Sequence, residues 1–263
     1  MERISAGDLH LNAELTGPDG APVVCLNHCF AADHEYWSHH LDAFAGFRIL
    51  RYDLRGHGGS DAPPGPYSLE QMAGDIDALC HHWNIERVHV VGVSLGGQIA
   101  QTFALNYPER LASLVLVNST CEYTDDQTTM WRERANQALT HGMSAVQPAL
   151  MQRWFTPEAA SNRIPGYRYM ERAIGRFSAT SFAAASAAMC ALDTTERLCT
   201  INAPAMVIAT PDDPGAPREV SEKMARNIPD CALHWLEPAQ HLSSLEHPER
   251  FNALVSEFLS KLR

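Results

Sequence analysis

Gly92-x-Ser94-x-Gly96 sets one serine between two glycines, at the junction of two unlike segments. Before it, Val88-His89-Val90-Val91 is an apolar, β-branched run of strand length. After it, Gln98-Ile99-Ala100-Gln101-Thr102-Phe103-Ala104-Leu105 reads as a helix. A strand that turns straight into a helix through G-x-S-x-G is a nucleophile elbow. So tight a turn strains its central residue and brings strand and helix so close that only small residues fit between them. The serine is pushed out at the strand's end, near helix N-terminal N–H groups able to hold a developing oxyanion.

A serine hydroxyl is a weak nucleophile at neutral pH and needs a positioned base. Histidine can take and return a proton near pH 7, and an acid must fix its tautomer. Of the thirteen histidines, His241 stands on a loop directly after a late strand, 231–236. The other twelve read as mostly surface or loop residues. An acid is needed at the end of the strand at 204–209, where Thr210-Pro211-Asp212-Asp213 offers two. Glu122, just past the strand at 111–117, is a third candidate. A serine rather than an aspartate at position 94 points to acyl transfer to water, not to an alkyl-ester intermediate.

The elements that position these groups alternate in type. Residues 2–16 read as a β-hairpin closed by Gly17-Pro18-Asp19-Gly20, and 22–26 as a buried strand that delivers Asn27-His28-Cys29-Phe30. His28 is expected to be structural, its ring bonded to backbone. A helix is expected at 35–44 and a strand at 47–52. A Gly/Pro-rich loop follows at 53–67, where Asp53, Arg55 and His57 should satisfy backbone and one another. Ser68-x-x-Gln71 is a capping box for a helix running to Trp83. From 121 to 195 strand-like runs vanish and short helical segments take over. The sheet then resumes at 204–209, with a helix at 217–227, a strand at 231–236 and a last helix at 248–262. This rhythm predicts an α/β fold with a mostly parallel, eight-stranded sheet flanked by helices.

Composition narrows the function. A chain of 263 residues suits one α/β domain plus an insertion. Hydrophobic residues at 45% and charged residues at 19% are ordinary for a soluble globule. A net charge of −11 argues against nucleic acid or an anionic membrane as partner, and an anionic substrate would need a local cationic pocket. No signal-peptide pattern opens the chain, and no apolar run reaches membrane-spanning length. The seven cysteines are odd in number and scattered. Cys25 and Cys29 lack a second Cys/His pair and read as buried thiols in a reducing cytoplasm. No metal-binding set and no cofactor motif is expected.

Several longer stretches carry a more specific likeness. They are Arg51-Tyr52-Asp53-x-Arg55-Gly56-His57-Gly58-x-Ser60-Asp61-x-Pro63-x-Gly65-Pro66-Tyr67, Gly92-x-Ser94-Leu95-Gly96-Gly97 and His241-Leu242-Ser243-x-x-Glu246. With Asp33-His34-x-x-Trp37, Trp154-Phe155 before a proline, and Leu192-Asp193-Thr194, they resemble the 3-oxoadipate enol-lactonases of the α/β-hydrolase superfamily. The likeness runs over nearly the whole chain. It departs at Cys29 and at Thr210, where glycine is usual in such enzymes.

The resemblance implies an α/β-hydrolase core, 1–120 and 196–263, with a helical cap insertion at 121–195. It implies the chain order Ser94, Asp213, His241, with Asp213 as the acid and Asp212 as its rival. The N–H groups of Leu95 and Phe30 would form the oxyanion hole. Cap residues Trp131, Arg134 and Trp154 would meet the substrate. Positions 131 and 134 share a helix face, whereas Arg132 points elsewhere. Arginines recur in the cap at 132, 134, 153, 163, 168, 172 and 176. Most of these would be solvated, with one or two facing inward to suit an anion. The implied function is opening of a small lactone through an acyl-enzyme. A general carboxylesterase or another lactonase is the alternative, and a non-catalytic ligand-binding homologue a further one.

Overall fold

A computed structural model describes residues 1–262. Among them, eight strands form one sheet: β1 (Glu2–Ala6), β2 (Leu9–Thr16), β3 (Val23–Asn27), β4 (Arg48–Tyr52), β5 (Val88–Val93), β6 (Leu111–Val117), β7 (Ala205–Ala209) and β8 (Cys231–Trp235). Their spatial order is β1-β2-β4-β3-β5-β6-β7-β8. The hairpin pairs antiparallel with itself and with β4, and every pairing from β4 to β8 is parallel. Winding reverses direction at β3, so a crevice opens beyond the C-terminal ends of β3 and β5. All residues of these two strands are buried. Helices cover both faces of a parallel sheet, so its central strands are buried on both faces and mostly apolar rather than alternating. Each fully buried Val or Leu there contributes roughly 1.5–3 kcal/mol.

Helices α1 (Leu69–His82) and α2 (Leu95–Asn106) pack against one another beside the sheet. The Ser68/Gln71 capping box is present at the start of α1, with both reciprocal bonds made. Between β6 and β7 the chain is helical: α3 (Asp125–His141), α4 (Gln147–Trp154), α5 (Pro157–Ser161), α6 (Pro165–Arg176) and α7 (Ala179–Cys190). Its α3 is longer than the short segments expected. A second capping box, Thr124 with Gln127, starts it, and it packs along α7. Entry and exit of this stretch are tied together: Glu122 bridges Asp193, and Thr194 N–H donates to Cys121 O at 2.9 Å. Helices α8 (Arg218–Asn227), α9 (Ser243–Glu246) and α10 (Pro248–Ser260) complete the chain. No described helix is long and apolar enough to cross a membrane.

Two local expectations need correction. The helix expected at 35–44 is two 3₁₀ segments, His34–His39 and Leu41–Phe44. Its first turn is held by tertiary partners: His34 N–H donates to Asp53 Oδ1 at 2.7 Å, and Tyr169 hydroxyl to Asp33 Oδ1 at 2.8 Å. The chain therefore closes i→i+3 turns around those anchors. In the 53–67 loop, Arg55 does not pair with Asp53. It forks onto Asp75 of α1 at 2.6 and 2.8 Å, while Asp53 accepts from Asn12, His34 and Gly59. Of the histidines other than His241, most are exposed or half-buried as expected, and His28, His40, His57 and His89 are the buried exceptions. As expected, His28 is bonded to backbone, at Cys29 O (2.8 Å) and Leu54 N–H (3.0 Å).

Candidate active site

Ser94 sits between β5 and α2 with φ 53° and ψ −117°, a left-handed backbone that costs a non-glycine residue about 1–3 kcal/mol. The strain is held by four bonds to the Ser94 backbone, one of them from the Ser119 hydroxyl to the Ser94 carbonyl at 3.0 Å. Ser94 N–H donates to Val117 O (2.9 Å), and its carbonyl accepts from Gly97 N–H (2.9 Å) and Gln98 N–H (3.1 Å). The flanking glycines are steric requirements. A Cβ on Gly92 would strike Gly96 O, and one on Gly96 would strike the carbonyls of Asn27 and His28 at the end of β3. The elbow thus depends on close approach of β3, β5 and α2.

His241 lies on the loop between β8 and α9, with Nε2 2.7 Å from Ser94 Oγ. Its Nδ1 is 2.8 and 2.9 Å from the two carboxylate oxygens of Asp213. A serine hydroxyl can therefore pass its proton to Nε2 while the carboxylate keeps Nδ1 protonated. Asp213 is 2% exposed. Burial opposes its ionisation, but His241, the Gly215 N–H (2.7 Å) and the Asn118 amide (3.1 Å) outweigh it and hold the carboxyl below its ordinary value. Gly215 also leaves room for the imidazole: a Cβ there would stand 3.1 Å from the ring.

The rival acids go elsewhere. Asp212 is exposed. Glu122 pairs with Lys223 and accepts from Thr195 at 2.8 Å. Phe30, after β3, and Leu95, at the start of α2, flank the β3/β5 crevice, and neither N–H has a hydrogen-bond acceptor among the described residues.

The helical stretch contributes three side chains named from the sequence. Trp131 is buried and meets the Phe30 ring edge-on at 5.6 Å. Arg134 lies 5.2 Å over the Trp131 ring and is half-buried, whereas Arg132 is exposed. Trp154 packs 6.3 Å from the His241 ring, and its carbonyl accepts from Leu242 N–H at 3.1 Å. Of the seven arginines in this stretch, only Arg134 and Arg153 are half-buried; the rest are exposed.

Residues that sequence reasoning missed hold this assembly in place. Asn118 joins Asp213 to Ser243, accepting from the Ser243 hydroxyl. Glu246 accepts from Gln240 N–H (2.8 Å) and Thr156 N–H (3.1 Å), bracketing the His241 loop to the end of α4. Both Ser243 and Glu246 stand in the His241-Leu242-Ser243-x-x-Glu246 pattern, a signal from which their roles could have been found. Asn118 carries a signal only in three dimensions, a positive φ of 43° just past β6. No group of three or more potential metal ligands occurs among the described residues.

Residues 22–248 match the family described as alpha/beta hydrolase fold. The chain is 27% identical over 261 residues to 3-oxoadipate enol-lactonase 2 of Acinetobacter baylyi, covering 99% of this chain and 97% of that one. The crystal structure of the enol-lactonase from Burkholderia xenovorans LB400 superimposes with a TM-score of 0.94 at 28% identity, covering 98% of this chain and 100% of that one. A thermophilic esterase from Thermogutta terrifontis, solved with malate bound, gives 0.90 at 29% identity, covering 97% and 94%. Matched by the family over most of its length, the chain belongs to the alpha/beta hydrolase fold family.

Proposed function

We propose that this protein is a serine hydrolase that opens small lactones, with carboxylate-bearing enol-lactones as its leading substrate class. The observation that carries this reading is the 2.7 Å approach of Ser94 Oγ to His241 Nε2, with Asp213 on the other ring nitrogen. His241 takes the Ser94 proton as Oγ attacks the ring carbonyl. The tetrahedral oxyanion is received by the unpaired N–H groups of Leu95 and Phe30. Collapse breaks the C–O bond of the ring; the enolate oxygen leaves with the proton from His241 and the enol tautomerises to a ketone. Water, deprotonated by His241, then releases the acyl group from Ser94. An enolate is a better leaving group than an alkoxide, so this substrate asks less of the general acid than an alkyl ester would.

Residues 121–195 act as a cap over the elbow, in which Trp131, Arg134 and Trp154 meet the substrate. The curated enol-lactonase relative supports the lactone class, and the esterase neighbour supports linear carboxylic esters as the second class.

The test is turnover by the purified chain of 3-oxoadipate enol-lactone, a neutral γ-lactone and p-nitrophenyl acetate, each beside Ser94→Ala. Hydrolysis is expected to fall by several powers of ten in the variant while its Tm stays close to wild type. Wild-type kcat in Ser94→Ala overturns the nucleophile assignment. Turnover of the linear ester alone moves the substrate to the esterase class, and no turnover at all points to a ligand-binding homologue.

A further inference from the structure

Thr210 directly follows β7 and is fully buried. It is one of two positions at which the chain departs from the enzymes it resembles, and the site described above makes no use of it. Its carbonyl accepts from Asp213 N–H at 3.3 Å, closing the turn that presents the acid. Its hydroxyl donates to Ala239 O at 2.8 Å, two residues before His241. Threonine is β-branched and has few χ1 choices, so the backbone itself aims that hydroxyl. Ala239 is buried as well, and its carbonyl has no other donor among the described residues.

The bond gains weight from what else holds the His241 loop. The β7–β8 ladder ends at the Ala209/Trp235 pair, with one further backbone bond from Leu236 N–H to Ala209 O at 2.8 Å. Residues 237–242 are then held from the opposite side. Arg250 Nη1 donates to Glu237 O (2.8 Å), and His247 Nε2 lies 2.6 Å from Pro238 O. Glu246 and the Trp154 carbonyl take the N–H groups of Gln240 and Leu242. All four partners lie on or beside α4, α9 and α10. Apart from the contact of His241 with Asp213, the Thr210 hydroxyl is therefore the direct bond, among the described residues, that joins the loop of the base to the loop of the acid beyond the ladder.

We propose that Thr210 is a positioning residue that sets the register of His241 against Asp213. This rests on the Ser94–His241–Asp213 reading above and adds to it the device that keeps base and acid at one spacing. With the hydroxyl in place, Nδ1 stays 2.8 and 2.9 Å from the carboxylate oxygens while Nε2 stays 2.7 Å from Ser94 Oγ. Without it, Ala239 O is left unpaired in the core, and the loop relaxes toward the helices that hold its other side. The imidazole then moves off the acid, and a misplacement of about 1 Å costs about a hundredfold in rate. Proton transfer through His241 serves both acylation and deacylation, so the loss falls on kcat rather than on substrate binding.

Two measurements on the full chain test it, in wild type, Thr210→Val and Thr210→Ser. The first is kcat and KM for p-nitrophenyl butyrate well below Tm. In Thr210→Val, which keeps the shape and loses the hydroxyl, kcat is expected to fall about ten- to a hundredfold with KM within about twofold. Thr210→Ser, which keeps the hydroxyl, is expected to stay within a few-fold of wild type. The second needs no turnover: the far-downfield proton NMR line of the His241 Nδ1–H held by Asp213. It is expected in wild type and Thr210→Ser, and shifted or lost in Thr210→Val. A merely structural Thr210 would lower Tm and leave both kcat and the line unmoved, which overturns the proposal. So does a loss confined to KM, a Thr210→Ser variant as impaired as Thr210→Val, or a wild type without the line. If Thr210→Val does not fold, Thr210→Ala removes the hydroxyl without added strain and decides in its place. A Thr210-dependent line in a protein that cleaves no ester overturns the hydrolase reading and leaves the positioning role standing.

Discussion

Asn118 donates its side-chain amide to Asp213 Oδ2 at 3.1 Å and accepts the Ser243 hydroxyl on its other end. One residue at the end of β6 therefore ties the loop after β7, which carries the acid, to α9, which follows the base. Its left-handed backbone, φ 43°, is what aims the amide at both. Asparagine tolerates that conformation better than most side chains.

Replacing Asn118 with Gly keeps the backbone accessible and removes only the amide. A hydrogen bond to a charged group is worth about 1.5–3 kcal/mol, so kcat/KM is expected to fall by about ten- to a hundredfold. Steady-state kinetics on a neutral ester measure it. Full activity in Asn118→Gly would show that Gly215 and His241 hold Asp213 unaided.

Asp213→Asn and Asp212→Asn should behave very differently. Asp213 alone reaches His241, whereas the neighbouring Asp212 is exposed. Loss of the tautomer-setting carboxylate costs about 10⁴-fold in kcat in a comparable serine–histidine–aspartate site. Asp212→Asn is expected to stay within a few-fold of wild type. The reverse pattern would transfer the role to Asp212.

Arg134→Gln removes a half-buried guanidinium stacked over Trp131. KM for an anionic lactone is expected to rise about tenfold more than KM for a neutral ester of similar size, a difference typical of one charge-assisted contact. Parallel shifts on both substrates would remove Arg134 as a carboxylate anchor.

Acid should destabilise the fold through its buried histidines. Burial pushes His40 and His89 down to about 4 and His57 to about 3, from 6.5, and it also lowers His28. Below pH 6.5 the unfolded chain takes up protons that these buried rings refuse, so stability falls as pH falls, until each folded value is reached. The slope is up to about 1.4 kcal/mol per pH unit for each such ring. His34, raised chiefly by its bond to Asp53, and Asp75, pushed up to about 6 by burial, act in the opposite sense, two groups against four. Tm is therefore expected to drop between pH 7 and pH 5, and by less in His40→Gln. An equal drop in that variant would mean that His40 does not stay neutral in the fold.

The parts of the molecule that the sequence determined are those whose cause is local. Gly92-x-Ser94-x-Gly96 lies within one strand–helix turn, where sterics among near neighbours decide both residue type and shape. The Ser68/Gln71 capping box spans three residues, and the apolar runs of β3 and β5 follow from burial on both faces. Only the tertiary structure decided which of two adjacent aspartates turns inward, because the deciding partner, His241, is 28 residues further along the chain. His241 meets Ser94 across 147 residues. The arginines of the helical stretch look alike in sequence, and packing against Trp131 and the Pro214 loop half-buries only Arg134 and Arg153. The 3₁₀ segments after β3 and the four buried histidines likewise follow from long-range partners. Periodicity encodes what kind of element a segment forms and which residues prefer to be covered. What covers them, and which polar atoms are left unpaired as a result, is settled only when segments far apart in the chain are packed together.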